Sequence, residues 1–255
     1  MTMPALFVGH GSPMNAIEEN EFHLGWRAVA ARCPKPKAVL CVSAHWETPG
    51  AVVTASDLPE TIHDFYGFPE ALFNVQYPAP GDAALAARIA ARLPSAGLDS
   101  MRGLDHGAWS VLRAMYPDAD VPVVQLSLDT QQPGPWHYAL ARGLAGLREE
   151  GVLLLGSGNI VHNLRQLDWN RPTGFDWAER INDEVKRRIL AGDHQELAAW
   201  HMLGAESRAA IPTPEHYLPL LYVLACQKAG EALEFFNDRT VMGSISMTSL
   251  LLGGS

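Results

Sequence analysis

Four histidines stand where chemistry is most readily built. His10 follows the apolar run Leu6-Phe7-Val8 in Gly9-His10-Gly11-Ser12, and His45 comes just after a second run in Ser43-Ala44-His45-Trp46. His162 lies past a third run, in Gly156-Ser157-Gly158-Asn159-Ile160-Val161-His162-Asn163. His216 sits in Pro212-Thr213-Pro214-Glu215-His216-Tyr217, where two prolines stiffen the approach to a predicted helix. A neutral imidazole offers its lone pair to a divalent cation or to a proton near neutral pH. Several imidazoles sharing one cleft would therefore make a metal centre with a base beside it. Each histidine alone also reads as a surface residue or a hydrogen-bonded core residue. Gly9, Gly11, Gly156 and Gly158 flank two of them and permit close backbone approach, but spacing leaves both readings open.

Two other motifs point to weaker alternatives. Gly156-x-Gly158 after an apolar run resembles the start of a dinucleotide fingerprint, with Asp176 near the expected acidic position. The third glycine is replaced by Val161, and no strand is predicted before Asp176, so a nicotinamide site is disfavoured. Ser12 and Ser157 lie near histidines but outside the Gly-x-Ser-x-Gly elbow that exposes a nucleophile. Trp109, Trp136 and Trp177 read as packing residues.

The elements that must position the histidines follow from apolar runs alternating with amphipathic segments, the pattern of an α/β layered domain. Strands are predicted over Ala5–Val8, Ala38–Ser43, Ala51–Thr54, Val121–Ser127 and Val152–Leu155, with a further one over Glu231–Asn237. Helices are predicted over Glu21–Ala31, Asp82–Arg92, Ser110–Tyr116, Trp136–Arg148, Asp176–Ala191 and Tyr217–Lys228, with Asp82 and Asp176 as start signals. In such sheets ligands sit beyond the carboxyl ends of the strands, which is where His10, His45 and His162 fall.

Composition narrows the classes of function. The 255 residues, 47% hydrophobic and 18% charged, suffice for one sizeable core, and no linker divides residues 1–255. A net charge of −9 without a basic run excludes a phosphate-tracking surface, so no nucleic-acid partner is expected. Cys33, Cys41 and Cys226 form no CxxC pair, which suits a reducing cytoplasm. No apolar stretch approaches the ~20 residues of a membrane span, so no membrane association is expected.

Six segments together resemble one family in matching order along nearly the whole chain. They are Gly9-His10-Gly11-Ser12-Pro13-Met14, Ser43-Ala44-His45-Trp46-Glu47, Thr61-Ile62-His63-Asp64-Phe65-Tyr66-Gly67-Phe68-Pro69, Leu104-Asp105-His106-Gly107-Ala108-Trp109, Gly156 to Leu164, and Pro214-Glu215-His216-Tyr217. This set looks like the class III extradiol ring-cleavage dioxygenases, in their DOPA-cleaving branch. The resemblance implies a single catalytic domain with an α/β/α three-layer fold around a mostly parallel or mixed sheet. It implies His10, His45 and His216 as metal ligands, with His162 as acid/base or fourth ligand. His106 would be a second catalytic donor. His63 would line the substrate pocket, and Asp64, Tyr66 and Phe68 would shape it. Glu215, next to the third ligand, is expected to point elsewhere. The implied cofactor is one divalent metal per chain: Fe²⁺ for activity, with Zn²⁺ a possible occupant because imidazoles accept both. The implied partners are a small aromatic diol and O₂, with Arg165 or Arg208 available to a carboxylate on the diol. A binding protein on the same fold and a zinc hydrolase are the competing classes.

Overall fold

Alternation along the strands decides what each face buries. In the first strand Ala5 and Phe7 enter one apolar cluster and Leu6 and Val8 the other, as the two-residue period of a strand requires. Leu40 and Val42 oppose Val39 and Cys41 in the same way. A sheet buried on both faces needs helices on both, which makes three layers. The computed structural model describes residues 2–254; Met1 and Ser255, the ends of the expected unit, lie outside the described residues.

The strands are β1 Ala5–Gly9, β2 Ala38–Thr48, β3 Val52–Thr54, β4 Gly97–Asp99, β5 Val123–Asp129, β6 Val152–Gly158, β7 Leu233–Phe236, β8 Thr240–Val241, β9 Ile245–Ser246 and β10 Ser249–Leu252. Eight of them form one sheet in the order β4-β3-β5-β2-β6-β1-β10-β7. Its centre, β5-β2-β6-β1, is parallel, while β3 against β5 and β10 against β1 and β7 run antiparallel. The sheet is therefore mixed, and the α/β/α expectation holds. β1, β6 and β2 are adjacent and parallel, so their carboxyl ends open on the same edge. That edge carries the site.

The helices are α1 Glu21–Arg32, α2 Glu70–Phe73, α3 Ala83–Arg92, α4 His106–Met115, α5 Gly134–Ala141, α6 Asp176–Ala191, α7 His194–Ala198, α8 Ser207–Ala210 and α9 Leu218–Leu224. α1 and α4 cover one face through Trp26 and Trp109; α3, α5, α6 and α9 cover the other. Asp82 caps α3 as expected, its carboxylate accepting from the Leu85 N–H at 2.7 Å. α6 has the expected bounds, but Phe175 is its cap residue and Asp176 lies in the first turn, where a carboxylate meets the positive end of the helix. The expected helix over Trp136–Arg148 becomes α5 followed by a tighter 3₁₀ segment, Arg142–Glu150, across Gly143 and Gly146, which weaken α-helical preference. Among the described residues no helix is long and apolar enough to cross a membrane.

One buried cation ties the chain ends to this frame. Arg148, fully buried, donates to the carbonyls of Met3 at 2.7 Å, Cys226 at 2.7 Å and Leu252 at 3.3 Å, and pairs bidentately with Glu231. Burial pushes the Glu231 carboxyl up, but the hydrogen bonds from Arg148 prevail and hold it below its usual range. Arg148→Met should leave that carboxylate and three carbonyls without their donor, destabilising the protein by about 3–5 kcal/mol. Urea unfolding measures this. A loss below about 1 kcal/mol, the scale of an exposed pair, would contradict a structural role.

Candidate active site

The local backbone delivers each imidazole for a definite reason. His10 immediately follows β1, and its N–H bonds the Gly158 carbonyl at 3.0 Å, so the β1–β6 pairing extends to it. His45 lies within β2, not in a loop past it as expected. The β2–β5 register shifts between Val42 and Glu47, and such an irregularity re-aims a side chain that regular pleating would turn away. His106 opens α4 behind the cap residue Asp105, whose buried carboxylate accepts from Ser43 Oγ at 2.6 Å, Gln125 Nε2 at 2.7 Å and Ala108 N–H at 3.1 Å. That network ties α4 to β2 and β5. His216 is delivered by the segment before α9, and its carbonyl accepts from the Asn159 N–H at 2.8 Å. A side chain at residue 158 would collide with the same carbonyl, so Gly158 is required there.

His10, His45 and His216 meet. One ligand nitrogen from each lies within 4.8 Å of the others. The opposite ring nitrogens face oxygen atoms. His10 Nδ1 is 3.0 Å from Ser157 Oγ, whose own proton goes to the Gly107 carbonyl at 2.5 Å, so Nδ1 is the donor. His216 Nδ1 donates to Glu215 Oε1 at 3.1 Å, and His45 Nδ1 is 3.6 Å from Asp64 Oδ2, long for a hydrogen bond but favourable for a proton on that nitrogen. The three Nε2 atoms are then left as lone pairs. His10 Nε2 and His45 Nε2 are 3.1 Å apart, and the buried His216 Nε2 has no hydrogen-bond partner. Two lone pairs at that distance repel unless a cation lies between them. Nitrogens bound to one ion at ~2.1 Å are separated by roughly 3 Å or slightly more, so the donor set fits a divalent metal.

Electrostatics keeps these rings in their binding form. Burial, then mutual repulsion with neighbouring histidines, drives His10 and His216 well below the usual imidazole range. Burial, with His106 next, brings His45 to about 3, and burial brings His162 to about 4. All four are neutral at pH 7, as a metal site with an adjacent base requires.

A cavity of about 440 Å³ opens over the cluster. His10, His45, His106, His162 and His216 line it, together with Asp64, Tyr66 and Phe68. His162 stacks on His216 with ring centroids 3.5 Å apart and planes 9° apart. Asp64 faces the cavity, but its Oδ1 accepts from both the backbone N–H and Nδ1 of His106 at 2.9 Å, and its other oxygen faces His45. Burial opposes its ionisation, yet the His106 bonds bring it to about 2. Asp64 thus contacts two histidines as well as lining the cavity. His63 departs from expectation: it does not line the cavity, because its Nε2 is tied to the Val75 carbonyl at 2.9 Å and its ring packs on Phe65, Phe73 and Trp109. Glu215, expected to point elsewhere, instead holds His216 by its Nδ1. Phe65, Leu164, Leu167, Trp169 and Met242 also line the cavity; Phe65 and Leu164 fall in segments quoted above, while no motif in the sequence singles out Leu167, Trp169 or Met242.

Gly107 shows how close the fit is. A Cβ there would lie 2.5 Å from Ser43 Oγ and 2.9 Å from His45 Cδ2. Gly107→Ala should therefore displace His45 and weaken divalent-metal affinity by roughly 10–100-fold, the range typical of disturbed supporting contacts. Metal titration with a competing chelator measures it, and an unaltered affinity would show that β2 yields without moving the imidazole.

Comparison with known proteins agrees with this geometry. The chain is 46% identical over 257 residues to a protein of Escherichia coli (strain K12) named 4,5-DOPA dioxygenase extradiol, covering 98% of this chain and 95% of that one. It is 39% identical over 252 residues to the 4,5-DOPA dioxygenase extradiol of Beta vulgaris, covering 95% and 94% respectively. The crystal structure of an uncharacterized protein from Escherichia coli K12 superposes with a TM-score of 0.86 at 41% identity, covering 98% of this chain and all of that one. Residues 3–248 match the family described as the catalytic LigB subunit of aromatic ring-opening dioxygenase, and the chain belongs to that family, the class III extradiol dioxygenases.

Proposed function

We propose that this protein opens the ring of a small catechol, with O₂ as co-substrate, at one divalent metal held by His10, His45 and His216. The observation that carries this is the convergence of three Nε2 lone pairs whose Nδ1 atoms all face oxygen. Relatives named 4,5-DOPA dioxygenase extradiol support the substrate class. When bound, Fe²⁺ would acidify the diol and carry electrons from it to O₂, whereas Zn²⁺ on the same imidazoles would only acidify it, having a filled d-shell.

The chain's own groups divide the remaining work. His162, neutral at pH 7 and beside His216, accepts the second proton of the diol on a ring nitrogen and returns it later. His162 lies outside the His10–His45–His216 group and stacks face to face on His216 with nearly parallel rings, which favours a role beside the metal ligands over one as a fourth ligand. His106 donates Nδ1–H to Asp64, which orients the ring and leaves the Nε2 lone pair to accept a hydrogen bond from a hydroxyl of a cavity occupant. Phe65 and Phe68, perpendicular with centroids 5.5 Å apart, supply an aromatic wall for the substrate ring. These groups span residues 10 to 216, so the chain works as one catalytic unit.

Anaerobic loading with Fe²⁺ followed by oxygen-electrode assays on catechol tests this. Oxygen uptake with formation of a ring-opened product is expected. Turnover that proceeds equally without oxygen would point to zinc-type hydrolysis, and no uptake with any catechol would overturn the proposal.

A further inference from the structure

Two apolar columns on the sheet face beneath α4 each end in a serine. Val39 and Cys41 of β2, and Leu153 and Leu155 of β6, enter the apolar cluster on that face, and the two-residue period of a strand puts Ser43 and Ser157 next in line. The strands are parallel and Ser43 is the register partner of Ser157, so the two residues stand side by side. Both are fully buried. A hydroxyl taken out of water is costly unless it is hydrogen-bonded, so its partners show what it holds.

The two serines are bonded alike. Ser157 Oγ accepts from His10 Nδ1 at 3.0 Å and donates to the Gly107 carbonyl at 2.5 Å. Ser43 Oγ accepts from the His45 N–H at 3.2 Å and donates to Asp105 Oδ1 at 2.6 Å. Each hydroxyl thus accepts from one metal-ligand histidine and donates to the start of α4. Asp105 caps that helix, and Gly107 is its second residue. The absence of a side chain at Gly107 admits Ser43 Oγ, which would lie 2.5 Å from a Cβ there.

His106 stands between the two points of attachment, its ring centroid 3.9 Å from that of His45. Asp64 holds His106 itself, by its N–H and its Nδ1, while the residues on either side, Asp105 and Gly107, are held by the two serines. None of His10, His45 and His216 lies on α4, so an ion bound to them reaches this turn through its supports. An imidazole fixed by an ion keeps the serine bonded to it in one orientation, and the turn bonded to that serine loses freedom with it.

We propose that Ser43 and Ser157 are a matched pair of positioning residues that couple the metal ligands His10 and His45 to the first turn of α4, so that filling the metal site sets His106 before a catechol arrives. This rests on the reading of His10 and His45 as ligands.

The test combines Zn²⁺ titration against a competing chelator with amide hydrogen exchange of residues 106–109, the first turn of α4, followed by nuclear magnetic resonance. In the native chain Zn²⁺ should slow exchange in this turn by about tenfold or more. Ser157→Ala should weaken Zn²⁺ binding roughly 10–100-fold, and Ser157→Thr, which keeps the hydroxyl, should restore most of it. At saturating Zn²⁺, Ser157→Ala and Ser43→Ala should each retain less than about a third of the slowing. Because the two hydroxyls hold one turn, the double variant should lose less Zn²⁺ affinity than the product of the single losses, by at least about threefold. Should Ser157→Ala not fold, Ser43→Ala alone reads the exchange with the same two outcomes.

Single losses that simply multiply would overturn the inference. So would full slowing in both alanine variants, which would assign the coupling to the route from His45 through Asp64. A merely structural role would lower the urea midpoint of the metal-free variants and leave the Zn²⁺-dependent slowing intact. A native chain that takes up no Zn²⁺ removes the metal reading and this inference together; uptake with exchange unmoved removes this inference alone.

Discussion

His10→Ala is expected to lose its divalent metal and, with it, all measurable oxygen uptake on catechol. His10 is 2% exposed, hydrogen-bonded through Nδ1 to Ser157, and its Nε2 lies 3.1 Å from that of His45. Losing an outer contact to a ligand typically costs 10–100-fold in metal affinity, and removing one of three ligands costs more. After anaerobic loading and desalting, elemental analysis should therefore fall from about one ion per chain to below roughly a tenth of that. Circular dichroism separates this from unfolding, since alanine in a polar cluster removes no apolar packing. Full metal content in a folded His10→Ala protein would strike His10 from the ligand set.

His162→Phe has the opposite signature: metal retained, turnover lost. Phenylalanine preserves a flat ring to stack on His216 and removes both nitrogens. A positioned acid/base group contributes roughly a hundredfold to ten-thousandfold, so kcat should fall by at least about a hundredfold with metal content unchanged. Unchanged kcat would remove His162 from the chemistry. Loss of metal would make it a ligand after all.

How much of this was legible in the sequence depended on whether the cause was local. Apolar runs ending in glycines with a histidine next or a few residues on mark β1 and β6, and parallel neighbours open on one edge, so fold class places His10 and His162 on the same side of the sheet. Asp82 announced α3 because capping is a local exchange between a carboxylate and the amides just after it. Asp105 does the same for α4, but Gly107 inside the first turn disguises the start, and the sequence pattern predicts it only at Ser110. β10 carries no strand signal of its own because Ser249–Leu252 is short and is a strand only through its pairing with β1 and β7. His45 was expected in a loop because bulges leave no mark in residue type.

The polar supports were harder to read than the ligands. Nothing about Glu215 states whether it turns toward its neighbour His216 or away from it; the turn before α9 decides. Asp64 and His63 are adjacent in one motif, yet one reaches His106 and the other the Val75 carbonyl. His63 is held out of the cavity by its bond to the Val75 carbonyl, a tertiary contact that residue type does not announce. The cavity-lining residues Leu164, Trp169 and Met242 come from separate turns that only tertiary hydrogen bonds bring together.

X-ray absorption fine structure at the metal edge of the anaerobically iron-loaded protein bears most directly on the three-imidazole centre. The spectrum should require three imidazole nitrogens at about 2.1 Å around a single ion, with oxygen donors filling the remaining positions. A fit with one imidazole or none, or with sulfur, would mean that His10, His45 and His216 do not share an ion.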